Sequence, residues 1–402
     1  MTLCKSLPKV RVAATLVALT GLLVSCGTAD GSVEPQAKPG GRSFTVAAAG
    51  DVLIHPELVE QAAKDAKATG EGEKGLDFGP TLAGVKPVIS KADLAICHME
   101  TPVGKPEGPF SGYPEFLVPP QVLSSLKDVG YDTCSTASNH TFDHGMDGVR
   151  RTLDVMDDVG LGHTGSARSE KEAARINIRD VKGVKVAHLS YSWESFVHPV
   201  PEKQRWAFKK TDLAEIEKAE TRAREQGAEV VLLSIHWGAE HYNEPGVAQL
   251  RLAERIGEDT GIDLVIGHHA HVVQPIQKVN GTWVAYSLGN HVARHSSPTG
   301  LTEEGAIGWF EFEETTEGWD VSARYRTTLV DIPPEVEPGE KAPDGAVQDL
   351  RLVDARMMLD EPGDLSEERL ARYRLAIDRT RGFLYNRGAP GGDGLEQLSL
   401  EK

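Results

Sequence analysis

The amino-acid sequence predicts an α/β fold, on two observations. Short runs rich in β-branched residues recur along the chain, and segments with a helical spacing of apolar residues, above all Gly145–Val159 and Thr211–Gln226, lie between many of them. Several of the strand-like runs are uniformly apolar, which is typical of strands covered on both faces. The predicted strands are Phe44–Ala49, Leu94–Cys97, Thr133–Thr136, Lys185–Ser190, Val230–Ile235, Leu264–Ile266 and Trp283–Ser287.

The C-terminal part departs from this alternation. A stretch rich in Pro and Gly predicts a linker, and a small helical tail follows it, with helices at Leu350–Met358 and Ser366–Tyr385. Ser366 is the expected N-cap of the second helix. The expected organisation is a main domain at 44–332, a linker at 333–345, a helical extension at 346–388 and a disordered tail at 389–402.

The N-terminal segment has the pattern of a secretory signal. Basic residues precede the apolar run Val12–Val24, which is too short for a typical membrane span. The run ends in Leu-Val-Ser-Cys-Gly, which resembles the lipobox of bacterial lipoproteins. We interpret residues 1–26 as a lipoprotein signal with lipidation at Cys26; an ordinary signal with a chance cysteine is the alternative. Residues 27–43 predict a flexible tether, so we expect a lipid anchor at the extracytoplasmic face of the bacterial cell membrane.

Charge and cysteine content restrict the partners and the redox chemistry. The 402 residues include 60 acidic and 43 basic side chains, a net charge of -17, so nucleic acid is not an expected partner. After removal of the predicted signal, Cys97 and Cys134 are the thiols left in the folded part. An oxidising location permits a bridge between them, but buried free cysteine is commoner in apolar runs, and both states stay open.

Polar residues stand where the predicted strands end. Asp51, Glu100, Asn139 and His236 each close or follow an apolar run, and so does the group Gly-His-His-Ala-His that contains His268. Each residue alone has a structural explanation, such as a turn or a helix cap. Ligands collect beyond the carboxyl ends of strands in open α/β sheets, so we expect the five groups to converge. Carboxylate, amide and imidazole together suit two divalent cations, such as Mn, Zn or Fe.

Six motifs in a fixed order give a family resemblance. They are GDVLIH, HMETPV, ASNHTFDHG, SIHWGAE, GHHAHVVQP and YSLGNH. In this order they resemble the CapA family of poly-γ-glutamate capsule synthesis proteins, which belongs to the calcineurin-like metallophosphoesterases. The resemblance covers about residues 44–332. It implies a metallophosphoesterase-like layered fold, with β-sheets flanked by helices.

The resemblance also implies roles for individual residues. His140 would protonate a leaving group or stabilise developing charge, and Asp143 would orient its ring. One histidine of the pair His268 and His269 would bind metal, with His268 favoured. His98 and Glu240 are candidates for the lining of the crevice. The implied metal ligands are Asp51, His55, Glu100, Asn139, His236, His268 and His271.

These residues indicate a dinuclear-metal hydrolase or transferase. Two cations lower the pKa of a bound water, which then attacks a phosphorus or carbonyl carbon. The expected substrate is a phosphoester or an anionic cell-envelope polymer such as poly-γ-glutamate, and polymer-synthase membrane subunits are expected partners. The alternatives are a non-catalytic metal-binding assembly protein of a polymer export complex and a metal-scavenging lipoprotein.

Overall fold

The computed structural model confirms the predicted α/β class. Two β-sheets pack face to face, and helices cover their outer faces. The predicted signal with Cys26, most of the tether and most of the linker lie outside the described residues. None of the helices in the described parts is long and apolar enough to cross a membrane. The structure describes residues 40–194, 198–295, 299–334, 346–387 and 394–400.

Several strands extend further than predicted, so that some candidate ligands belong to the C-terminal residues of the strands themselves. Strand β1 continues through Asp51 because this residue still pairs with His98 of β2. The strands in the described residues are β1 (Ser43–Val52), β2 (Leu94–Met99), β3 (Thr133–Ser135), β4 (Gly162–Thr164), β5 (Asn177–Val181), β6 (Val184–Ser192), β7 (Val230–His236), β8 (Leu264–His268), β9 (Ile276–Val279), β10 (Thr282–Ala285), β11 (Asn290–Val292), β12 (Glu304–Glu314), β13 (Trp319–Asp331), β14 (Arg351–Asp354) and β15 (Glu396–Gln397).

The strands of the described residues form two sheets. The first has the order β14-β13-β12-β1-β2-β3-β4, with β11 added beside β1 and β15 beside β13. The second has the order β5-β6-β7-β8-β10-β9. In the first sheet β1 to β4 run parallel, and in the second β6, β7, β8 and β10 do. The carboxyl ends of the parallel strands therefore meet at one edge of each sheet.

Two of the helices match the sequence pattern closely. Helix α5 has the predicted bounds, and helix α7 begins after Asp212, whose side chain accepts hydrogen bonds from the Ala214 and Glu215 amides. The helices are α1 (Pro56–Thr69), α2 (Gly79–Leu82), α3 (Lys86–Ile89), α4 (Gln121–Val129), α5 (Gly145–Val159), α6 (Glu170–Ala173), α7 (Leu213–Glu225), α8 (Val247–Asp259), α9 (Ala355–Asp360) and α10 (Glu367–Leu384), with a 3-10 helix at Glu202–Ala207.

The apolar residues divide among layers according to the two-residue period of the strands. Along β1, Val46 and Ala48 belong to the core between the two sheets, whereas Ala47 and Ala49 belong to the core under helices α1 to α5. Helices α7 and α8 cover the opposite face of the second sheet. The uniformly apolar strands are therefore buried on both faces, as the sequence predicts.

The C-terminal part differs from the prediction in two places. The helix predicted at Leu350–Met358 is wrong for its first half, because Arg351–Asp354 adds to the edge of the first sheet as β14, and Asp354 then caps α9. The predicted disorder is wrong for residues 394–400, where β15 pairs with β13. The predicted second helix is confirmed as α10, with the Ser366 hydroxyl accepting from the Arg369 amide.

A disulfide joins Cys97 and Cys134, which the sequence left undecided. The two cysteines lie on the neighbouring parallel strands β2 and β3 and are paired directly opposite each other. Both are fully buried in the core under the first group of helices. The bridge therefore ties together two strands that lead into the cluster of candidate ligands.

Candidate metal centre

The predicted strand-end residues converge between the two sheets. Asp51 and Glu100 come from the ends of β1 and β2 in the first sheet, and His236 and His268 end β7 and β8 in the second. All four side chains are buried, with at most 2% of their surface exposed. The carboxyl ends of parallel strands from both sheets therefore create a buried pocket of carboxylates and imidazoles.

A first cluster of potential ligands consists of Asp51, His98 and His268, whose ligand atoms lie within 4.8 Å of one another. The Nδ1 atom of His268 lies 3.2 Å from Oδ1 of Asp51. The His98 ring stacks on the His268 ring, with 4.0 Å between centroids. His98 enters the cluster because β2 pairs with β1 in a register that sets it opposite Asp51.

A second cluster consists of Glu100, His236 and His269, again with ligand atoms within 4.8 Å. The Nε2 atom of His236 lies 3.9 Å from a Glu100 oxygen and 3.1 Å from Oδ1 of Asn139. The other ring nitrogen of His236 lies 3.0 Å from Nε2 of His98. The two clusters are thus neighbours, and Asn139 lies beside the second.

His271 connects the clusters, because it forms a third group of potential ligands with Asp51 and Glu100. Its Nδ1 atom lies 3.2 Å from Asp51 Oδ2, and its Nε2 atom lies 3.7 Å from Glu100 Oε1. Asn290, which the sequence analysis did not single out, places its side-chain oxygen 3.0 Å from the same Nδ1. The exposed Glu240 completes another possible group with His269 and His271 at the mouth of the site.

The histidine-rich loop needs an unusual backbone. His269 and His271 have φ angles of 91° and 55°, a region that non-glycine residues rarely adopt. A Cβ atom on Gly267 would lie 1.9 Å from the Tyr286 carbonyl oxygen, so this position requires glycine. Such backbone strain costs on the order of 1–3 kcal/mol per residue and concentrates at functional sites. This backbone conformation brings both His268 and His269 into the centre, His268 in the first cluster and His269 in the second.

The electrostatics of the centre are those of a buried anionic site in which His271 is the protonated imidazole. Burial and the charge of Asp51 raise the pKa of Glu100 well above its usual range. Burial would also raise the pKa of Asp51, but hydrogen bonds from His268 and His271 hold it well below its usual value. Burial opposes protonation of His271, yet the charges of Glu100 and Asp51 raise its pKa to about 10.

Unpaired atoms test whether the residues fit a divalent cation. Both carboxylate oxygens of Glu100 and the Nε2 atom of His268 are buried and have no hydrogen-bond partner in the described structure. Burial lowers the pKa of His98 and His236 well below the usual value, which favours the neutral, metal-binding form of each ring. The donor set of carboxylate, amide and imidazole fits divalent transition metals.

His140 and Asp143 form a separate pair beside these clusters. The Nδ1 atom of His140 lies 2.7 Å from Oδ2 of Asp143, and the same oxygen accepts a 2.8 Å hydrogen bond from the Phe116 amide. The Phe116 ring contacts the His140 ring edge to face, with 4.9 Å between centroids. The imidazole is therefore held in one orientation by a carboxylate that is itself fixed.

Comparison with known proteins assigns a family. The model for the bacterial capsule synthesis protein PGA_cap matches residues 45–295, which is more than half of the chain. The chain belongs to the PGA_cap family. The matched region contains every candidate ligand from Asp51 to His271, whereas β12, β13 and the C-terminal helices lie outside it.

Relatives with assigned names support the PGA_cap membership. The chain is 28% identical over 251 residues to the PGA biosynthesis protein CapA of Bacillus subtilis, covering 62% of this chain and 64% of the relative. It is 28% identical over 176 residues to the capsule biosynthesis protein CapA of Bacillus anthracis, covering 43% of this chain and 42% of the relative. The matches thus span less than two thirds of either relative.

Solved structures similar to this PGA_cap protein include phosphoesterases. One is described as a novel phosphatase from Mycoplasma pneumoniae, at 13% identity and a TM-score of 0.41, covering 71% of this chain and 94% of that chain. Another is the calcineurin-like phosphoesterase YfkN from Bacillus subtilis, at 14% identity and a TM-score of 0.40, covering 84% and 99%.

His55 is the implied ligand that the structure places apart from the rest. None of the four groups of potential ligands in the described residues contains it. Its ring contacts those of Phe116 and His295, at 5.5 and 4.9 Å between centroids, and burial lowers its pKa to about 4. The structure instead adds His98 and His269, so the sequence-derived set is extended by two histidines.

Proposed function

We propose that this chain is a two-metal hydrolase or transferase that acts on an anionic cell-envelope polymer. The observation that supports the proposal most is the Glu100 carboxylate, which is buried without a hydrogen-bond partner among three imidazoles and Asp51. An uncompensated buried carboxylate costs several kcal/mol, and bound cations would remove that cost. The names of the Bacillus relatives, which refer to PGA and capsule biosynthesis, motivate a polymer of the poly-γ-glutamate kind.

The two clusters supply one set of ligands each. Asp51, His98 and His268 would hold one cation. Glu100, His236 and His269 would hold the other, with the Asn139 oxygen beside them. When bound, a pair of divalent cations lowers the pKa of water and polarises a carbonyl or phosphoryl oxygen.

The remaining chemistry belongs to His140 and Asp143. The Asp143 carboxylate fixes the His140 ring through Nδ1, which leaves Nε2 as the atom that gives a proton to the leaving amine or alcohol. Asp143 also compensates the positive charge that His140 has before it gives up this proton. Both side chains are buried, so few waters compete for the proton.

Metal content and turnover of four soluble proteins test the proposal. We expect the wild type to bind two divalent ions and Glu100→Gln to lose at least one of them by mass spectrometry of the metals. His140→Ala should keep both ions but lose about 10²- to 10⁴-fold in turnover of γ-linked polyglutamate or a phosphoester. His163→Ala, a histidine outside the four groups, is the matched control and should match the wild type in both measurements.

Two outcomes would contradict this function. A wild-type protein without bound divalent metal after purification and reloading with Mn, Zn or Fe is not a two-metal enzyme. A metal-loaded protein in which neither substrate class is turned over, or in which His140→Ala is as active as the wild type, would favour the non-catalytic assembly role instead.

We also propose that the protein is lipid-anchored through Cys26 and works beside polymer-synthase membrane subunits. The signal-like sequence before Cys26 and the envelope-related names of the relatives support this location. Cys26→Ser should move the protein from the membrane fraction to the medium. An unchanged membrane fraction would rule out this anchor.

A further inference from the structure

A cavity of about 450 Å³ adjoins the metal centre on the side of the C-terminal helices. Its wall is formed by the end of β13, the first turn of α10 and the segment around Arg294 and Gly300. The volume lies in the range of about 300–1,000 Å³ that small-molecule sites occupy. None of the candidate ligands and neither member of the His140–Asp143 pair lines it.

Direct contacts connect this cavity to the metal centre. The Arg294 amide donates a 3.2 Å hydrogen bond to Nδ1 of His55. The His55 ring packs on the His295 ring, and the His295 ring lies 5.4 Å from that of His271. The rings of His55 and His295 therefore form one layer of imidazoles between Arg294, which lines the cavity, and His271 of the metal centre.

The guanidinium of Arg294 is a buried cation for which the described residues provide no anionic partner. The residue is 9% exposed, and its Nη1 atom donates to the His295 backbone carbonyl. No carboxylate of the described residues forms an ion pair with it, whereas Arg369 in the same wall pairs with Asp331 at 2.7 Å. An arginine in such a position is suited to a ligand carboxylate.

The same cavity has a buried anion, Glu303, for which the described part of the chain provides no cationic partner. Glu303 is 3% exposed, and its carboxylate accepts hydrogen bonds from the Thr302 hydroxyl and the Gly300 amide. No Lys or Arg of the described chain lies within ion-pair distance of it, although Arg372 beside it pairs with Glu304. Buried charges of opposite sign that do not pair with each other leave room for a ligand that carries both.

We propose that this cavity binds the free amino-acid end of the substrate, with its α-carboxylate on Arg294 and its α-ammonium on Glu303. In a γ-linked glutamate chain only the amino-terminal residue has both groups, because every other α-nitrogen is an amide. The proposal rests on the proposed function for the identity of the polymer.

Calorimetry on chelator-treated protein tests this binding without any catalysis. The probes are a γ-linked glutamate tetramer and the same tetramer with an acetylated amino terminus. We expect the free tetramer to bind, and the acetylated one to bind at least tenfold more weakly because the ammonium is lost. Arg294→Gln and Glu303→Gln should each weaken binding of the free tetramer at least tenfold, while the charge-retaining Arg294→Lys and Glu303→Asp should lose less.

Matched controls separate this site from general charge and from folding. Arg255→Gln removes an exposed arginine of α8 and should leave binding unchanged. Thermal unfolding of every variant identifies a change that acts through stability. Equal affinity for the two tetramers, or wild-type affinity in folded Arg294→Gln and Glu303→Gln, would overturn the proposal.

Metal content of the same proteins, measured before chelator treatment and after reloading with Mn, Zn or Fe, distinguishes the two proposals. If a protein that binds two metals has equal affinity for the free and the acetylated tetramer, the amino-end site is refuted and the metal centre is not. If a protein that binds no metal still binds the free tetramer more tightly than the acetylated one, the two-metal function is refuted and the amino-end site is not.

Discussion

Two buried regions of this protein contain charged side chains, and they differ in whether those charges are satisfied. In the C-terminal part, Arg326 and Asp354 form two parallel hydrogen bonds of 2.7 and 2.9 Å and are almost completely buried. Arg326 also donates to the Leu398 carbonyl, and Asp354 accepts two backbone amides at the start of α9. In the metal centre, by contrast, both oxygens of Glu100 lack a hydrogen-bond partner within the described structure.

The contrast separates a structural use of buried charge from a functional one. A bidentate pair whose partners also bond to the Leu398 carbonyl and to the first amides of α9 holds β13, β14 and the C-terminal strand together. A buried carboxylate without hydrogen-bond partners lowers the stability of the protein by itself, and a bound ligand compensates that cost. Breaking each region should therefore have opposite consequences for stability and for metal binding.

The largest effect is expected from breaking the satisfied pair. Arg326→Met leaves the Asp354 carboxylate buried without its cation, so the free energy of unfolding in urea should fall by about 3–5 kcal/mol. Metal content per folded molecule should stay at the wild-type value. The control Arg255→Met breaks an exposed pair with Asp259 and should cost less than about 1 kcal/mol. A comparably small loss for Arg326→Met would show that Asp354 finds another partner.

In the metal centre, by contrast, removing a charged side chain should raise the stability of the metal-free protein. Because the pKa of Glu100 is raised in the folded state, the unfolded state releases its proton first, and stability falls as pH rises above the usual glutamate range. In chelator at pH 7, Glu100→Gln should therefore be more stable than the wild type.

Saturating metal should reverse that order, because the wild type gains binding energy that the variant lacks. Denaturation with and without chelator measures both differences. A variant that is less stable than the wild type in both conditions would mean that Glu100 has a structural role in the metal-free protein.

A neutral buried imidazole should give the smallest effect. Burial lowers the pKa of His188 to about 3, and Nε2 of its ring lies 2.9 Å from the Ser234 hydroxyl. Between pH 6.5 and 3 the unfolded state binds a proton that the folded state does not, so stability falls as pH falls. From pH 7 to 5 this residue should account for about 2 kcal/mol.

Urea unfolding at the two pH values isolates this contribution. His188→Asn should remove it from the pH dependence whatever its cost at pH 7. Ser234→Ala, which keeps the imidazole but removes its hydroxyl partner, should retain the wild-type pH dependence. An identical pH dependence in His188→Asn would contradict the expected contribution.

Local sequence patterns were sufficient for much of the main domain. Apolar runs that end in a polar residue placed Asp51, Glu100, His236 and His268 at strand ends, because a run of this kind is a local signal. The structure brings these four together, and it places Asn139 beside them.

Non-local pairing explains what the sequence did not reveal. His98 enters the first cluster through the register between β1 and β2, and His269 reaches the second through a positive φ angle, neither of which a local pattern encodes. The local pattern of Arg351–Asp354 predicts helix rather than the short strand β14, because the pairing partner of this strand lies some twenty residues earlier across the linker. The hairpin of β12 and β13 was missed as well.

The disulfide between Cys97 and Cys134 also fixes the register between strands β2 and β3. A shift of one residue between β2 and β3 would exchange the two faces of a strand, turning His98 toward the outer helices and a cysteine toward the metal ligands. Paired directly opposite, the two cysteines permit only the alignment in which His98 meets Ser135. The disulfide can thus form only when β2 and β3 are aligned in this register, and its formation fixes the spacing of the ligands at the ends of these strands.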